Sequence, residues 1–290
     1  MWIIYALLAA LFFGMRGIMY QWTSQKNLNR NLMLFGVFFV GFVISALAMY
    51  VLGQQWYAWT DICVGLALGF GSFAANAALH KGFSVGKASL ISILSGLPPL
   101  FVVLLAFLFW NETLTTQQLI GFIVIFVGLY TIRYSNDISF RNLQGAQWGL
   151  LAALFFAFND LLGKQSTRLD ADMFATLTLM FGFGSGLFAF SWLKNRQVVS
   201  HDDEGTHPRW SEMRTFVCGL AVGLTNVAGM MAILSAFALG AAGLVSAVTA
   251  MNILIILLYS RIFLKESFSR QEILGLTAAL VGILILRLSQ

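Results

Sequence analysis

Apolar residues along this chain fall in runs of about 20, the length that carries an α-helix across the roughly 30 Å hydrocarbon core of a bilayer. Short polar stretches separate the runs. Ten runs are present, over 2–22, 32–52, 62–80, 88–110, 117–133, 146–164, 173–193, 214–237, 242–263 and 271–288. The tryptophans check this parsing independently, because an amphipathic indole prefers the membrane interface. Trp2, Trp22, Trp56, Trp59, Trp110, Trp148, Trp192 and Trp210 all fall at or just outside the ends of the runs. The pattern predicts an all-α membrane protein with ten transmembrane helices. The first run lacks a basic start and carries Arg16 inside it, so it is expected to stay in the mature protein rather than to be cleaved as a signal peptide.

The runs repeat. Leu7-Leu8-Ala9-Ala10-Leu11-Phe12-Phe13 recurs as Leu150-Leu151-Ala152-Ala153-Leu154-Phe155-Phe156, which aligns the first run with the sixth. A second correspondence, at a shift of 154 residues, pairs Gly65 with Gly219, Gly69 with Gly223, Ser92 with Ser246, Glu112 with Glu266, Gly121 with Gly275 and Gly128 with Gly282. The polar stretch from His201 to Pro208 absorbs the difference between the two shifts. The chain therefore divides into two five-helix units, 1–141 and 142–290. Five is odd, so the second unit is expected to cross the membrane in the opposite sense. Two inverted repeats are the architecture of alternating-access transporters, which bind substrate near the midplane between the halves.

Composition agrees with a chain that lives in lipid: of 290 residues 59% are hydrophobic and 10% charged, and the mean hydropathy is +0.82. With three prolines, two cysteines and no long polar tract, there is no room for a disulfide-stapled ectodomain or a soluble catalytic domain. Cys63 and Cys218 open runs on opposite faces of an inverted repeat and are expected to be unpaired fillers. The net charge of +5 is spread singly between apolar runs, so it is read as topology and not as a nucleic-acid surface. If the amino terminus starts on face A, the opposite face B collects thirteen of the 17 Lys and Arg. Face A has Lys164, Arg168 and Arg287, and Arg16 lies inside a run. Face B is expected to be cytoplasmic, with both termini outside, in a bacterial cytoplasmic membrane.

The segment from Asn111-Glu112-Thr113-Leu114-Thr115-Thr116-Gln117-Gln118 through Gly121 to Gly128 has an echo in Lys265-Glu266-Ser267-Phe268-Ser269-Arg270-Gln271-Glu272 through Gly275 to Gly282. The two together resemble the helix 4–5 and 9–10 signature of the EamA family of the drug/metabolite transporter superfamily, and Pro98 sits where the first unit of that family often carries a proline. The resemblance covers essentially the whole chain. It implies a ten-helix secondary transporter of small metabolites, often an exporter, and leaves the substrate unnamed. Physically, Glu112 and Glu266 sit where a carboxylate caps the amides of a nearby helix start. The paired glycines give each of two helices a small-residue face for close packing.

Arg16 is the sharpest chemical clue, because an arginine near a helix centre costs about 2.5–3.5 kcal/mol on insertion scales and normally faces a cavity or a partner. Phe12, Phe13, Met19 and Tyr20 share its face. A guanidinium there grips a carboxylate or phosphate bidentately; the competing reading has it snorkel to the headgroups. Asp160 is the other charge inside a run, and Asn159 takes the position matching Arg16. Lys164, one turn on, is a candidate ion-pair partner for Asp160. The alternative is that Asp160 carries a coupling proton. Asn76, Asn226 and Asn252 are expected to face the interior, since an amide in lipid would leave several groups unsatisfied. Phe156, the repeat partner of Phe13, is expected to contact the apolar part of a ligand.

No Walker A loop, His-Glu-x-x-His, paired-cysteine site or Gly-x-Ser-x-Gly elbow occurs, so no cofactor, no metal and no enzyme activity are expected. The expected partners are a small-molecule substrate, the lipid bilayer and a coupling proton. The oligomeric state is not legible. The leading reading is a secondary transporter, in the export direction, of a small carboxylated, amino-acid-like metabolite. Its substrate-binding set is Arg16, Phe12, Phe13, Asn76, Phe156, Asp160, Asn226 and Asn252. The rivals are transport of an organic cation or amine at Asp160, and a passive channel.

Overall fold

The computed structural model describes residues 1–24, 28–85, 91, 94–134, 145–198, 210–263 and 269–288. These form the helices α1 (Trp2–Ser24), α2 (Arg30–Leu52), α3 (Trp59–Val85), α4 (Pro98–Trp110), α5 (Thr116–Tyr134) and α6 (Ala146–Arg168). They continue with α7 (Met173–Val198), α8 (Glu212–Leu239), α9 (Ala242–Thr249), α10 (Asn252–Phe263) and α11 (Arg270–Leu288). Seven are long and apolar enough to cross a membrane, and three shorter apolar stretches, Pro98–Trp110, Thr116–Ile132 and Ala242–Ile256, fill the remaining places of the ten-run pattern. The outer surface is hydrocarbon: Ile4, Leu47, Phe70, Leu108, Phe190 and Leu284 are each more than half exposed. Polar groups lie inside, where Ser45, Ser72, Asn226, Ser246 and Thr249 are buried. That inside-out arrangement is what a bilayer solvent selects.

The fourth and ninth runs are not continuous helices. In the first unit a turn at 95–97 precedes Pro98, which takes the first helical position, where its missing N–H costs nothing. In the second, a turn at 250–251 separates α9 from α10. The local bonding matches at the repeat shift: Leu97 N–H donates to Leu94 O as Met251 N–H donates to Val248 O, and Leu100 N–H to Leu97 O as Leu254 N–H to Met251 O. Both are i to i−3 bonds in place of the α-helical i to i−4.

The interior contacts give each helix a direction. α1 runs antiparallel to α8, with Trp2 against Gly240, Phe13 against Gly229 and Trp22 against Trp210. α3 runs antiparallel to α6, with Gly71 against Asn159 and Gly82 against Trp148. α2 lies parallel to α8 and α3 parallel to α7, and both crossings are made by glycines. A β-carbon on Gly223 would fall 2.6 Å from Val37 O, and one on Gly69 would fall 2.7 Å from Met180 O; Gly219 and Gly65 likewise face Met33 O and Thr176 O. α5 and α11 cross antiparallel, Gly128 against Gly275 and Gly121 against Gly282. α11 packs extensively against α5 alone.

The caps differ from expectation in one respect. Glu112 does cap a helix, but the amide it accepts from is Ala242 N–H at the start of α9, at 2.6 Å, and not one in the helix that follows it. The start of α5 is instead closed by Thr115 and Gln118, and that of α11 by Ser269 and Glu272. In each pair the two side chains accept reciprocally from the other's backbone N–H, a capping box. Glu266 lies outside the described residues.

Candidate functional site

Near the centre of the bundle, α1, α2, α3, α6, α7 and α8 enclose a cavity of about 110 Å³. That is well under the ~300–1,000 Å³ of drug-sized pockets, so it suits a small ligand. Its polar lining is Arg16, Tyr20, Ser72, Asn76, Asn159, Asp160 and Asn226, and its apolar lining includes Phe13, Phe156, Met180, Met230 and Phe237. A larger cavity of about 270 Å³ lies between α1, α10 and α11, but hydrocarbon lines nearly all of it. Recognition chemistry is concentrated in the smaller one.

Arg16 stands three residues past the midpoint of α1. Its Nη1 donates to Asn226 Oδ1 at 2.5 Å, and its guanidinium carbon lies 4.5 Å from the Phe13 ring centre and 5.7 Å from that of Tyr20. Its Nε is buried and has no hydrogen-bond partner among the described residues. The guanidinium is thus held on two sides and keeps a free donor. The fold explains why this is tolerated: Phe13 packs on Gly229, which brings α1 and α8 close enough for Asn226 to reach it, and Asn226 is itself only 3% exposed.

At the repeat-equivalent place Asn159 sits 2.7 Å from Ser72 Oγ. Asn159 matches Arg16 and Ser72 matches Asn226, so the same two-residue contact occurs twice, charged in one copy and neutral in the other. Asn76 donates back to Ser72 O at 2.8 Å. Asp160 accepts from Ser246 Oγ at 2.5 Å, which ties α6 to α9 just before the helix break.

The expected pairing of Asp160 with Lys164 does not form. Lys164 Nζ reaches instead to the end of α8, donating to Phe237 O at 2.7 Å and Gly240 O at 2.8 Å. Carbonyls at a helix C-terminus lack intrahelical donors and carry partial negative charge, so they compete well for an ammonium. Among the described residues Asp160 has no ion-pair partner. The helix lengths also set how far apart the two intramembrane charges lie along the bundle. α1 and α6 extend to Ser24 and Arg168, which moves their midpoints toward Arg16 and Asp160 and leaves each Cα about 4.5 Å from its helix centre at 1.5 Å per residue. Side chains lean toward the start of their helix, so on these antiparallel helices both charged groups lean toward the middle of the cavity.

Of the residues expected at the site, Arg16, Phe13, Asn76, Phe156, Asp160 and Asn226 line the cavity together. Phe12 and Asn252 do not line it. Phe12 projects about 100° round α1 from Phe13, and Asn252 opens α10 beyond the break. Asn159 and Ser72 also line the cavity and Ser246 holds Asp160, although none of the three is in the expected substrate-binding set. The repeat shifts pair each of them with a polar residue, Asn159 with Arg16, Ser72 with Asn226 and Ser246 with Ser92, and that is the signal that could find them.

Residues 1–134 and 143–288 each match the EamA-like transporter family. The uncharacterized transporter YxxF of Bacillus subtilis is 32% identical over 149 residues, 50% of this chain and 47% of its own length. The chain thus matches about half the length of that relative. An uncharacterized transporter of Archaeoglobus fulgidus is 27% identical over 115 residues, 39% of this chain and 40% of its own. The uncharacterized protein MJ1333.1 of Methanocaldococcus jannaschii is 29% identical over 137 residues, which are 46% of this chain but 97% of the relative. A solved crystal structure at 13% identity superposes with a TM-score of 0.78, covering 100% of this chain and 99% of that one, which shows the shared fold. Two tandem family matches, with apolar helices throughout, make this an integral, multi-pass membrane protein, and the chain belongs to the EamA-like transporter family of the drug/metabolite transporter superfamily.

Proposed function

We propose that the protein is a secondary exporter of a small carboxylated, amino-acid-like metabolite, working by alternating access between units 1–141 and 142–290 related as inverted repeats. The observation that carries this reading is the meeting of Arg16 and Asp160, with three asparagines between aromatic rings, in one small cavity. Arg16 Nε and Nη offer a carboxylate a planar fork, Asp160 offers an ammonium its counter-charge, and Phe13 and Phe156 accept the apolar remainder. The inverted relation is supported by the opposed directions of the equivalent helices α1 and α6, α2 and α7, α3 and α8, and α5 and α11. The two helix breaks fall well inside their apolar runs, which supports a site at discontinuous helices near the midplane. Lys164 and Glu112 tie down the α8–α9 junction through Phe237 O, Gly240 O and Ala242 N–H. When the ligand is absent, Asp160 carries the coupling proton while its Oδ2 accepts from the Ser246 hydroxyl. Export is the direction favoured by the family resemblance.

The test is a thermal-shift screen of the purified protein in detergent, because a ligand that binds only the folded state raises its stability by mass action. Amino acids are expected to raise the midpoint more than matched acids lacking the amine or amines lacking the acid. Stabilisation by amines alone would make the organic-cation reading, centred on Asp160 and the aromatic rings, the correct one.

We further propose that face B is cytoplasmic and both termini lie outside, from the Lys and Arg bias. An alkaline phosphatase fused to the carboxyl terminus is expected to be active. An inactive phosphatase fusion together with a fluorescent green protein fusion at the same position reverses the orientation.

A further inference from the structure

The cavity of about 270 Å³ between α1, α10 and α11 has no role in the function proposed above, and its position makes it more than a packing gap. α11 holds closely to α5 alone, so Leu276, Leu280 and Ile283 on the side of α11 that faces α1 and α10 border an open cleft rather than a continuous helix interface. Leu11 and Leu258 on the opposite walls are 40% and 51% exposed, so the cavity is a cleft open to the surrounding lipid. The single charged residue in its lining is Glu272, in the first turn of α11. Its Oε2 accepts the Ser269 N–H in the helix cap, and its Oε1 has no partner among the described residues.

From Glu272 to Ile283 the cleft follows eleven residues of α11, about 16 Å at 1.5 Å per residue. That is half the roughly 30 Å hydrocarbon thickness of a bilayer, the depth of one leaflet. A one-leaflet apolar slot with a carboxylate at its interfacial end has the dimensions and charge of an amine-headed lipid.

We infer that this cleft is a phospholipid site, in which one acyl chain of phosphatidylethanolamine lies between α11 and the α1/α10 wall and the headgroup ammonium pairs with Glu272. A neutral slot would take any lipid. The carboxylate adds a charge-assisted hydrogen bond to an ammonium and disfavours phosphatidylglycerol, whose headgroup has none. Occupancy would fix the spacing of the α5/α11 pair from the rest of the bundle.

Native mass spectrometry of delipidated full-length protein, titrated with phosphatidylethanolamine or phosphatidylglycerol of identical chains, tests this. One phosphatidylethanolamine is expected to be retained about 10-fold more tightly than phosphatidylglycerol. Glu272→Gln should abolish that preference while leaving the helix cap intact, since Gln118 performs the same capping in α5. Leu280→Trp, whose indole fills the cleft from an exposed position, should weaken both lipids equally. Equal retention of the two lipids by the native protein overturns the proposal, as does a preference that survives Glu272→Gln. A dimer mass that disappears in Leu280→Trp would assign the cleft to a second copy of the chain, and would also overturn it. None of these outcomes depends on the central cavity, so the site stands or falls independently of the transported substrate.

Discussion

Arg16→Ala is expected to weaken binding of a carboxylated ligand by at least about 30-fold, because truncating one partner of a buried, hydrogen-bonded charge pair costs about 2–5 kcal/mol and each 1.4 kcal/mol is about tenfold. The substitution removes the only guanidinium among the described residues lining the cavity and leaves Asn226 Oδ1 without its donor. Arg16→Lys keeps the charge but not the planar fork, so it should recover some of the affinity and none of the bidentate geometry. Calorimetric titration of the purified variants, with the best amino-acid hit, reads both. Asp160→Asn provides the complement: it should weaken amino acids and leave amine-free acids unaffected. Affinity for acids unchanged in Arg16→Ala would mean the carboxylate is read elsewhere. Loss confined to Asp160→Asn, with amines as the ligands, would transfer the site to the organic-cation reading.

Gly223→Ala is expected to destabilise the fold by about 3 kcal/mol, the upper end of the ordinary range for overpacking, because its β-carbon would lie 2.6 Å from Val37 O and against Val40. A backbone oxygen cannot swing aside as a side-chain tip does, so α2 and α8 must separate along their length. Gly69→Ala meets Met180 O at 2.7 Å at the equivalent crossing of α3 and α7 and should cost a similar amount. Gly186→Ala, with open space around the added carbon, serves as the control and should be close to neutral. Thermal midpoints in one detergent, compared across the three variants, check the ordering. A Gly223→Ala protein as stable as the control would show that the crossing relaxes by sliding.

The ten-helix pattern was legible because a bilayer demands runs of a fixed length and interfacial tryptophans mark their ends. The equivalence of the units was legible because Leu7–Phe13 recurs almost unchanged. The helix breaks were harder. Pro98-Pro99 marks the first, but Ala250-Met251 contains neither proline nor glycine, so only its alignment to the first unit could locate the second. At the candidate site, intramembrane charge and amide content were enough to pick out Arg16, Asp160, Asn76 and Asn226, which the fold brings to one cavity. Phe12 and Phe13 differ by a rotation that composition does not report, and only packing against Gly229 decides which of them faces inward. The partner of Lys164 was misread for a related reason. One-turn spacing on a helix favours Asp160, whereas the carbonyls of Phe237 and Gly240 are distant in sequence and near only in the folded bundle.

The doubled contact in the cavity, Arg16 with Asn226 and Asn159 with Ser72, bears on how the two end states of the proposed alternating-access cycle would compare in energy. A scaffold made of two interchangeable halves is degenerate by construction: opening to one face and opening to the other are the same rearrangement with the halves exchanged. Only residues that differ between equivalent positions lift that degeneracy. Lys164, which staples the end of α8, corresponds to Gln21, and Arg168, stacked on Trp110, corresponds to Gln25. Neither cation is matched at its equivalent position, so under the alternating-access reading proposed above a resting bias between the two end states would come from unmatched side chains rather than from the architecture.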